Sequence, residues 1–548
     1  MKFTYIVSIL LLQVSFSFGQ NDKKRTPLDS LIHIDSVKSA NPVDTVKPGE
    51  GKRQDQLEKI KEVKKVVLAE DSGSNEPAKH PLVDTTVMNK YGDLLDDDTA
   101  FNKKYPIWKP AVGVLGVNIL VFSIDRYIFK YDYSTSVSLE TWKHNLQTGW
   151  AWDNDRFGIN FSGHPYTGAL YFSNARSHGY NYFESFPFAL EGSIMWEYFG
   201  ENTLPSYSDL INTSVNGAFL GEVLYRISSN ILDDRTTGWH RFSRELFAGI
   251  IDPVRGINRL LQGKTFRKTN KEVYQKEPLN VSVFGGVRNV NGLAPTSFKD
   301  LSTSNTILNF QLDYGNPFEL RKRKAFDFFK LRTQFSFGAG RKILDNVLGY
   351  GILFGKNGQL GKLSLLYGGF QYYDYWDNTT FELMAIGFGG GVFTKLPLSK
   401  KNNLYTNLVF AGIPLGANSG RSGPDTTQFR DYSYNNGLEG KLETTLVLGS
   451  RFTASMMFYY YYMNTYTGLV TKDYGPTKSD VPGYNHIFIL KPHISIHLYK
   501  SLSLGYEHYM FFDNRYDANL PPLQSTRTEN KIYLLFYFED PQRKGHYE

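Results

Sequence analysis

From about residue 278 onward, apolar and polar positions alternate with a period of two. Leu331, Thr333, Phe335, Phe337 and Ala339 interleave with Arg332, Gln334, Ser336, Gly338 and Gly340. Thr306, Leu308, Phe310 and Leu312 interleave with Asn305, Asn309, Gln311 and Asp313, and Phe488, Leu490, Ile494 and Ile496 with Lys491, His493, Ser495 and His497. One apolar and one polar face per segment is the signature of strands. Segments of about ten residues, broken by turn sequences at Asp313 to Pro317, Lys356 to Gly358 and Asn418 to Gly423, suit tilted strands crossing a bilayer. Counting from Leu279 to Phe538 predicts about twelve strands, an even number that suits a single-chain barrel. A soluble sandwich would alternate in the same way. The run Phe458 to Tyr462, inside Phe452 to Met463, favours the barrel because aromatic residues gather at membrane interfaces.

Upstream the period changes. Between Tyr105 and about Phe266 the spacing is helical, with candidates at Ala111 to Ile124, Phe183 to Phe199, Ser208 to Leu232 and Phe242 to Leu261. The first is closed by Asp125 and Arg126 and is shorter than the ~20 residues a spanning helix needs, which predicts a buried or interfacial helix. Pro205-Ser206 marks a helix start, and Gly217 and Gly221 have the spacing that lets helices approach closely. Residues 21–104 are rich in Lys, Asp, Glu, Ser, Thr and Pro and predict a disordered periplasmic tether, with a short charged helix near Gln54 to Val67. Residues 1–20 read as a signal peptide, with Lys2 before an apolar run and small residues near Gly19.

The fold class predicted is therefore α+β: a helical domain over 105–270, then an antiparallel transmembrane β-barrel over 278–538, with a tail over 539–548. Composition narrows the class. Only 41% of the 548 residues are hydrophobic and the mean hydropathy is −0.37, which excludes a polytopic helical transporter. Aromatic residues make up 15%, with 37 Tyr and 40 Phe beside 49 Gly, a balance suited to strands, aromatic girdles and tight turns. The absence of cysteine excludes disulfides, thiolate nucleophiles, Cys-ligated metals and a lipoprotein anchor. A net charge of +7 is too small to indicate a nucleic-acid partner. The final strand, Lys531 to Phe538, ends in phenylalanine and resembles the assembly signal of bacterial outer-membrane barrels. That resemblance implies the barrel assembly machinery and outer-membrane lipid as partners; a periplasmic envelope partner, such as one bound by the tether, is a separate expectation.

The densest polar constellation lies in the helical part: Trp150, Trp152, Asp153 and Asp155, then Asn160 and Ser162-Gly163-His164-Pro165. Arg176, Glu184 and Glu191 follow, then Trp196 to Glu201, Pro205-Ser206, Asp209, Gly221-Glu222 and Tyr225-Arg226. This order, over about Trp142 to Leu261, resembles a family of exported envelope proteins known as domain of unknown function 3943. The resemblance implies a Gram-negative, outer-membrane-associated setting and carries no reaction, ligand or catalytic assignment. His164, Glu197, Glu201 and Asp209 are the candidate catalytic residues, because a histidine among carboxylates can run acid–base hydrolysis or hold a metal. Buried, hydrogen-bonded ties between helices are the simpler reading, and Ser206 after Pro205 is more simply a helix cap. Ser162-Gly163-His164 also resembles a motif of the acid and lipid phosphatase superfamily, but Ile250 stands where the second histidine is required, so the match is chance. Gly387 to Gly391 lacks the Lys-Ser/Thr pair of a phosphate loop.

In the barrel, Arg332, Gln334, Lys441, Glu443, Lys491, His493, His497 and Glu507 fall on the polar face and are expected to line the lumen. That set fits either a narrow pore or a closed, cross-paired interior. His493 and His497 lie too far apart along a strand to chelate one metal, and neither a metal nor a cofactor is expected. The sequence thus predicts an outer-membrane barrel with a non-enzymatic role in solute passage, solute binding or envelope organisation. Its helical domain would be a periplasmic gate or adaptor at the inner mouth. The alternative is an envelope hydrolase acting on lipid or cell wall.

Overall fold

A computed structural model describes residues 94–291, 304–337, 343–378, 382–419, 432–449, 451–469 and 481–538. The signal peptide, nearly all of the tether with its short charged helix, and the tail lie outside the described residues.

Twelve antiparallel strands close into one barrel. They are β1 (Leu279–Asn291), β2 (Ser304–Tyr314), β3 (Phe329–Phe337), β4 (Leu344–Leu360), β5 (Leu363–Asp377) and β6 (Glu382–Pro397). β7 (Asn402–Ser419), β8 (Tyr432–Leu448), β9 (Phe452–Thr465), β10 (Gly483–Tyr499), β11 (Leu502–Asp517) and β12 (Leu523–Phe538) follow. Each strand pairs with its sequence neighbours, and β1 pairs with β12, Val281 opposite Phe538, so no edge is left free. Lys356 to Gly358 makes no turn. It continues β4, and the chain reverses at Gly361 (φ 58°). The reversal falls at the glycine that reaches positive φ without strain.

The two rims differ. At one, the connections 361–362, 398–401, 449–451 and 500–501 have two to four residues, and only 315–328 is long. At the other lie 292–303, 338–343, 378–381, 420–431, 466–482 and 518–522. Short turns at one rim and longer loops at the other are the habit of outer-membrane barrels.

The helical part comprises α1 (Trp108–Ser123), α2 (Asp132–Thr135), α3 (Leu139–Thr148), α4 (His164–Ser177), α5 (Tyr182–Phe199), α6 (Tyr207–Ile211), α7 (Gly217–Ile231), α8 (Gly238–Ile251) and α9 (Pro253–Leu261). Wider π turns extend α1 over Ile124–Phe129, precede α4 over Ile159–Gly163, and join α6 to α7 over Asn212–Asn216. Pro253 divides the last expected helix in two, since it lacks the N–H an unbroken helix would need. Residues 164–177 fall outside the four expected helices, yet α4 forms. It is buried on nearly every side and needs no polar stripe.

The first helix is longer than expected. Trp108–Phe129 is one 22-residue span, the only one among the described residues long and apolar enough to cross a membrane, and little of it is buried. Asp125 and Arg126 do not end it, because the following turn covers both. Tyr133 donates to Asp125 at 2.8 Å, leaving Asp125 3% exposed, and Arg126 donates to the Ser134 carbonyl at 2.6 Å. A satisfied charge can remain inside an apolar helix.

The helical part does not sit at the barrel mouth. Side chains alternate across each strand, and contacts between distant strands identify the inward face. Arg332 on β3 pairs with Glu443 on β8, Lys441 on β8 with Asp374 on β5, and Trp376 on β5 packs against Phe511 on β11. Tyr373 and Tyr375 therefore point outward, and these are the residues the helices touch. Phe219 of α7 packs on Tyr373, and Phe157 stacks on Tyr375. Tyr182 of α5 donates to Gln371, and Gln371 to the Val215 carbonyl at 2.9 Å. Gly349, outward on β4, leaves the space that Phe219 fills, since a Cβ there would lie 2.7 Å from the ring. The contacts run from Tyr314 and Phe326, toward the short-turn rim, to Tyr432 and Tyr434 near the other. The expected gate position is replaced by a helical unit on the barrel's outer wall. An apolar outer wall buries an apolar helix face as readily as it faces lipid.

Candidate functional site

The four candidate residues do converge. Glu197 lies in the last turn of α5 and Glu201 just beyond it. The chain then returns through Pro205 and Ser206, where an isolated β-bridge joins Ser206 to Ala151. The bridge places Glu197 Oε2 2.7 Å from the Ser206 N–H. Ser206 Oγ accepts the Asp209 N–H at 3.2 Å, capping α6, and lies 2.8 Å from Ser208 Oγ. The hydroxyl is thus occupied as a cap, which is poor placement for a nucleophile. On the opposite strand of the bridge Asp153 follows, its N–H directed at Ser208 Oγ.

His164 begins α4, held by the adjacent Pro165. Its Nε2 is 3.7 Å from Asp209 Oδ1 and its Nδ1 is 3.3 Å from Thr213 Oγ1. Asn160, one turn earlier, joins this cluster to the barrel. With the amide nitrogen toward the acids it donates to Asp153 Oδ2 at 3.0 Å and Asp209 Oδ1 at 3.2 Å, while its oxygen accepts from Tyr432 at 2.7 Å and Tyr434 at 3.2 Å.

Two overlapping ligand sets result, Asp153–His164–Asp209 and Glu197–Glu201–Asp209, each with donor atoms within 4.8 Å of one another. One imidazole among carboxylates is a donor set that a divalent cation accepts. Its carboxylates are nevertheless buried: Glu197 is 0% exposed, Asp209 1%, Asp153 3% and Glu201 9%, while the His164 side chain keeps 15%, and the described contacts tie helix to helix and helices to the barrel. A hydrolase needs an opening for substrate, and the carboxylates are turned away from solvent into helix ties. Replacing His164 by alanine is expected to lower the midpoint temperature of the folded form by the equivalent of about 1–2 kcal/mol, the cost of unmaking buried polar contacts. Gel mobility of heated against unheated protein reads it. A fully stable variant would contradict the tie.

The lumen residues form a second constellation. Arg332 makes a two-pronged contact with Glu443, at 3.0 and 3.5 Å, and Tyr459 and Asn407 also donate to that carboxylate. Lys441 bridges Asp374 and Glu439. Lys491 pairs with Glu507 at 3.3 Å, and Gln334 accepts from Lys531 at 2.8 Å. His493 lies 2.9 Å from Ser455 Oγ and stacks on Tyr533. His497 follows on the same face, half-buried near the short-turn rim. Between these ion pairs the interior is packed with rings, among them Trp376, Tyr372, Tyr461 and Phe370, each 1% exposed or less.

The order of these helices and their polar cluster can be compared with known families. Residues 149–254 match the family DUF3943, described as a domain of unknown function. The DUF3943 segment contains the whole His/carboxylate cluster and ends at the start of α9, before the barrel. A search of curated proteins finds no match. Among solved structures, the chain is similar to the NanC porin, at 13% identity over 47% of this chain and 98% of that one, with a TM-score of 0.24. It is also similar to the outer membrane channel DcaP of Acinetobacter baumannii, at 10% identity, 47% and 96% coverage and a TM-score of 0.20. OmpT, an outer membrane protein of Vibrio cholerae, gives 9%, 47%, 96% and 0.22. The closed barrel itself rests on the strand pairing.

Asp153 and Asn160 were legible only as members of the motif. Tyr432 and Tyr434, which hold Asn160 from the barrel side, carry no distinguishing signal, because outward tyrosines are ordinary in such strands.

Proposed function

We propose that the protein is a non-conducting outer-membrane barrel that carries the DUF3943 segment as a helical unit inside the bilayer, serving envelope organisation rather than solute passage. The observation that carries this is the packed interior. Rings and paired charges pack the interior around Asp374, Lys441, Trp376 and Tyr461, so the barrel's useful surface lies outside. The outer wall supports the bilayer placement. Phe354, Phe410 and Leu438 face outward and are 65%, 67% and 61% exposed, a lipid-facing pattern that continues onto α1 through Val112, Leu115 and Ile119. At ~1.5 Å per residue the 22-residue span Trp108–Phe129 is about 33 Å long, close to the hydrocarbon thickness. Trp108 lies at one end and Tyr127 at the other, as interfacial aromatics do.

Two measurements test the proposal. Purified protein in a planar bilayer is expected to give no stepwise conductance, and regular steps would overturn the closed interior. Because the chain lacks cysteine, single cysteines report directly. V112C, L115C and I119C in proteoliposomes are expected to resist an aqueous maleimide, while K103C and D132C at the helix ends react. Equal labelling at all five sites would remove α1 from the bilayer.

A further inference from the structure

Near the short-turn rim a small pocket of about 20 Å³ opens between α4, α7, α9 and the segment after residue 94, lined by Arg176, Arg255, Arg259, Lys264, Asp97 and Tyr225. The rim position follows from Arg226, beside Tyr225, donating to the Ala325 carbonyl, and from Gln275 donating to Asp327, both acceptors on the connection 315–328.

Two of the four cations are already neutralised. Arg176 pairs with Glu222, and Arg259 with Glu245 and Asp234. The other two are not. Arg255 is 3% exposed, and its Nη1 donates to the Tyr225 carbonyl and Ser229 Oγ, both at 2.7 Å, with the guanidinium 3.9 Å over the Tyr225 ring. Its Nε and Nη2 donate to nothing among the described residues, and no carboxylate there pairs with it or with Lys264. A buried guanidinium with donors to spare, aimed into a cavity, points to an anionic ligand. Burial and the nearby Arg267, Arg259 and Arg255 lower the Lys264 ammonium to about 8, as expected of a cation crowded by others. Asp97, the acid that lines the pocket, has an oxygen occupied by the Tyr225 hydroxyl at 2.9 Å and the other by the Gln275 N–H at 2.8 Å, and Asp252, beside Arg255, is occupied by the Arg255 N–H at 3.0 Å and the Ser173 hydroxyl.

We propose that this pocket binds a phosphodiester group, presented by the headgroup of an anionic glycerophospholipid in the leaflet at that rim. The surroundings favour a lipid over free phosphate. Leu261 and Phe266, on either side of Lys264 in sequence, are both 79% exposed, and Trp239 stacks on Phe242 on the neighbouring α8 with 76% of the indole exposed. Apolar side chains around a cationic pocket match acyl chains below a phosphate. The lipid half rests on the bilayer placement proposed above; the phosphate half does not.

The test uses full-length protein in nonionic micelles, measuring binding of phosphatidylglycerol, of diacylglycerol with the same chains, and of inorganic phosphate. Phosphatidylglycerol is expected to bind at least about tenfold more tightly than diacylglycerol, and inorganic phosphate to compete with it. K264E is expected to weaken phosphatidylglycerol about tenfold, while K264R stays within about threefold. Heat-dependent gel mobility confirms that both variants fold, and K264Q replaces K264E if it does not. Equal affinity for the two lipids, with no phosphate binding, overturns the proposal, as does full binding by K264E. Phosphate binding lost in K264E, without preference for the anionic lipid, upholds the phosphate site and overturns its lipid source.

Discussion

Replacing Gly168 by alanine is expected to break the packing within the helical unit while leaving the barrel closed. A Cβ at Gly168 would lie 1.7 Å from the Thr213 carbonyl oxygen and 3.0 Å from the Gly217 Cα. Both obstacles are backbone. No rotamer change relieves them, so α4 must move away from α7 and lose the contacts it makes there. From the opposite helix the collision recurs, because a Cβ at Gly217 would meet Gly168 Cα at 2.5 Å. Overpacking of ordinary cores costs about 1–3 kcal/mol, and a backbone collision belongs at or beyond the top of that range. The barrel is closed by its own ladder and does not depend on this contact. Limited proteolysis should therefore cut G168A within the helical unit while a barrel fragment that is still heat-modifiable survives. Cleavage unchanged from wild type would show that the helices can separate at no cost. Gly249 and Gly256 are an internal comparison: a Cβ at Gly249 meets nothing closer than 3.5 Å, so G249A is expected to be silent.

The small-residue spacing at Gly217 and Gly221 was legible because only glycine lets two helix backbones touch. Its partner on α4 was not, since a helix buried all round shows no stripe to read. The barrel was legible for a related reason. Each strand has one lipid or helix face and one ionic face, and a period of two survives whatever covers the apolar side. That same property hid the docking site of the helical unit. Gly349, Tyr373, Tyr375, Met384 and Leu415 are covered by helices, while Phe354, Phe388 and Phe410 are bare, and no difference in residue type separates them. The mouth position expected for the helices came from chain order alone. In the His/carboxylate cluster the residue types were legible and their burial was not, because burial of a charge depends on partners far away in sequence, here Tyr432 and Tyr434 across more than 250 residues.

The second large effect is expected inside the barrel. Lys441 is 5% exposed and bridges two carboxylates, Asp374 and Glu439, which are 2% and 2% exposed, and Tyr461 donates to Asp374 at 2.9 Å. Substituting methionine keeps the volume and removes the charge. Two buried carboxylates then face each other with no cation between them, a loss of about 3–5 kcal/mol by the measure of other broken buried pairs. The unfolding midpoint in urea should fall accordingly. Restoring neutrality should return most of it: K441M combined with D374N and E439Q leaves amides and a thioether where ions stood, and buried ion pairs replaced whole are commonly neutral or better. If the single substitution is harmless, water reaches these groups and the interior is not closed. If the triple variant is stable yet opens a conductance that wild type lacks, the ion pairs are the seal itself. If the triple variant is stable and silent, closure belongs to the rings around them, with Trp376, Tyr372 and Phe370 the next residues to remove.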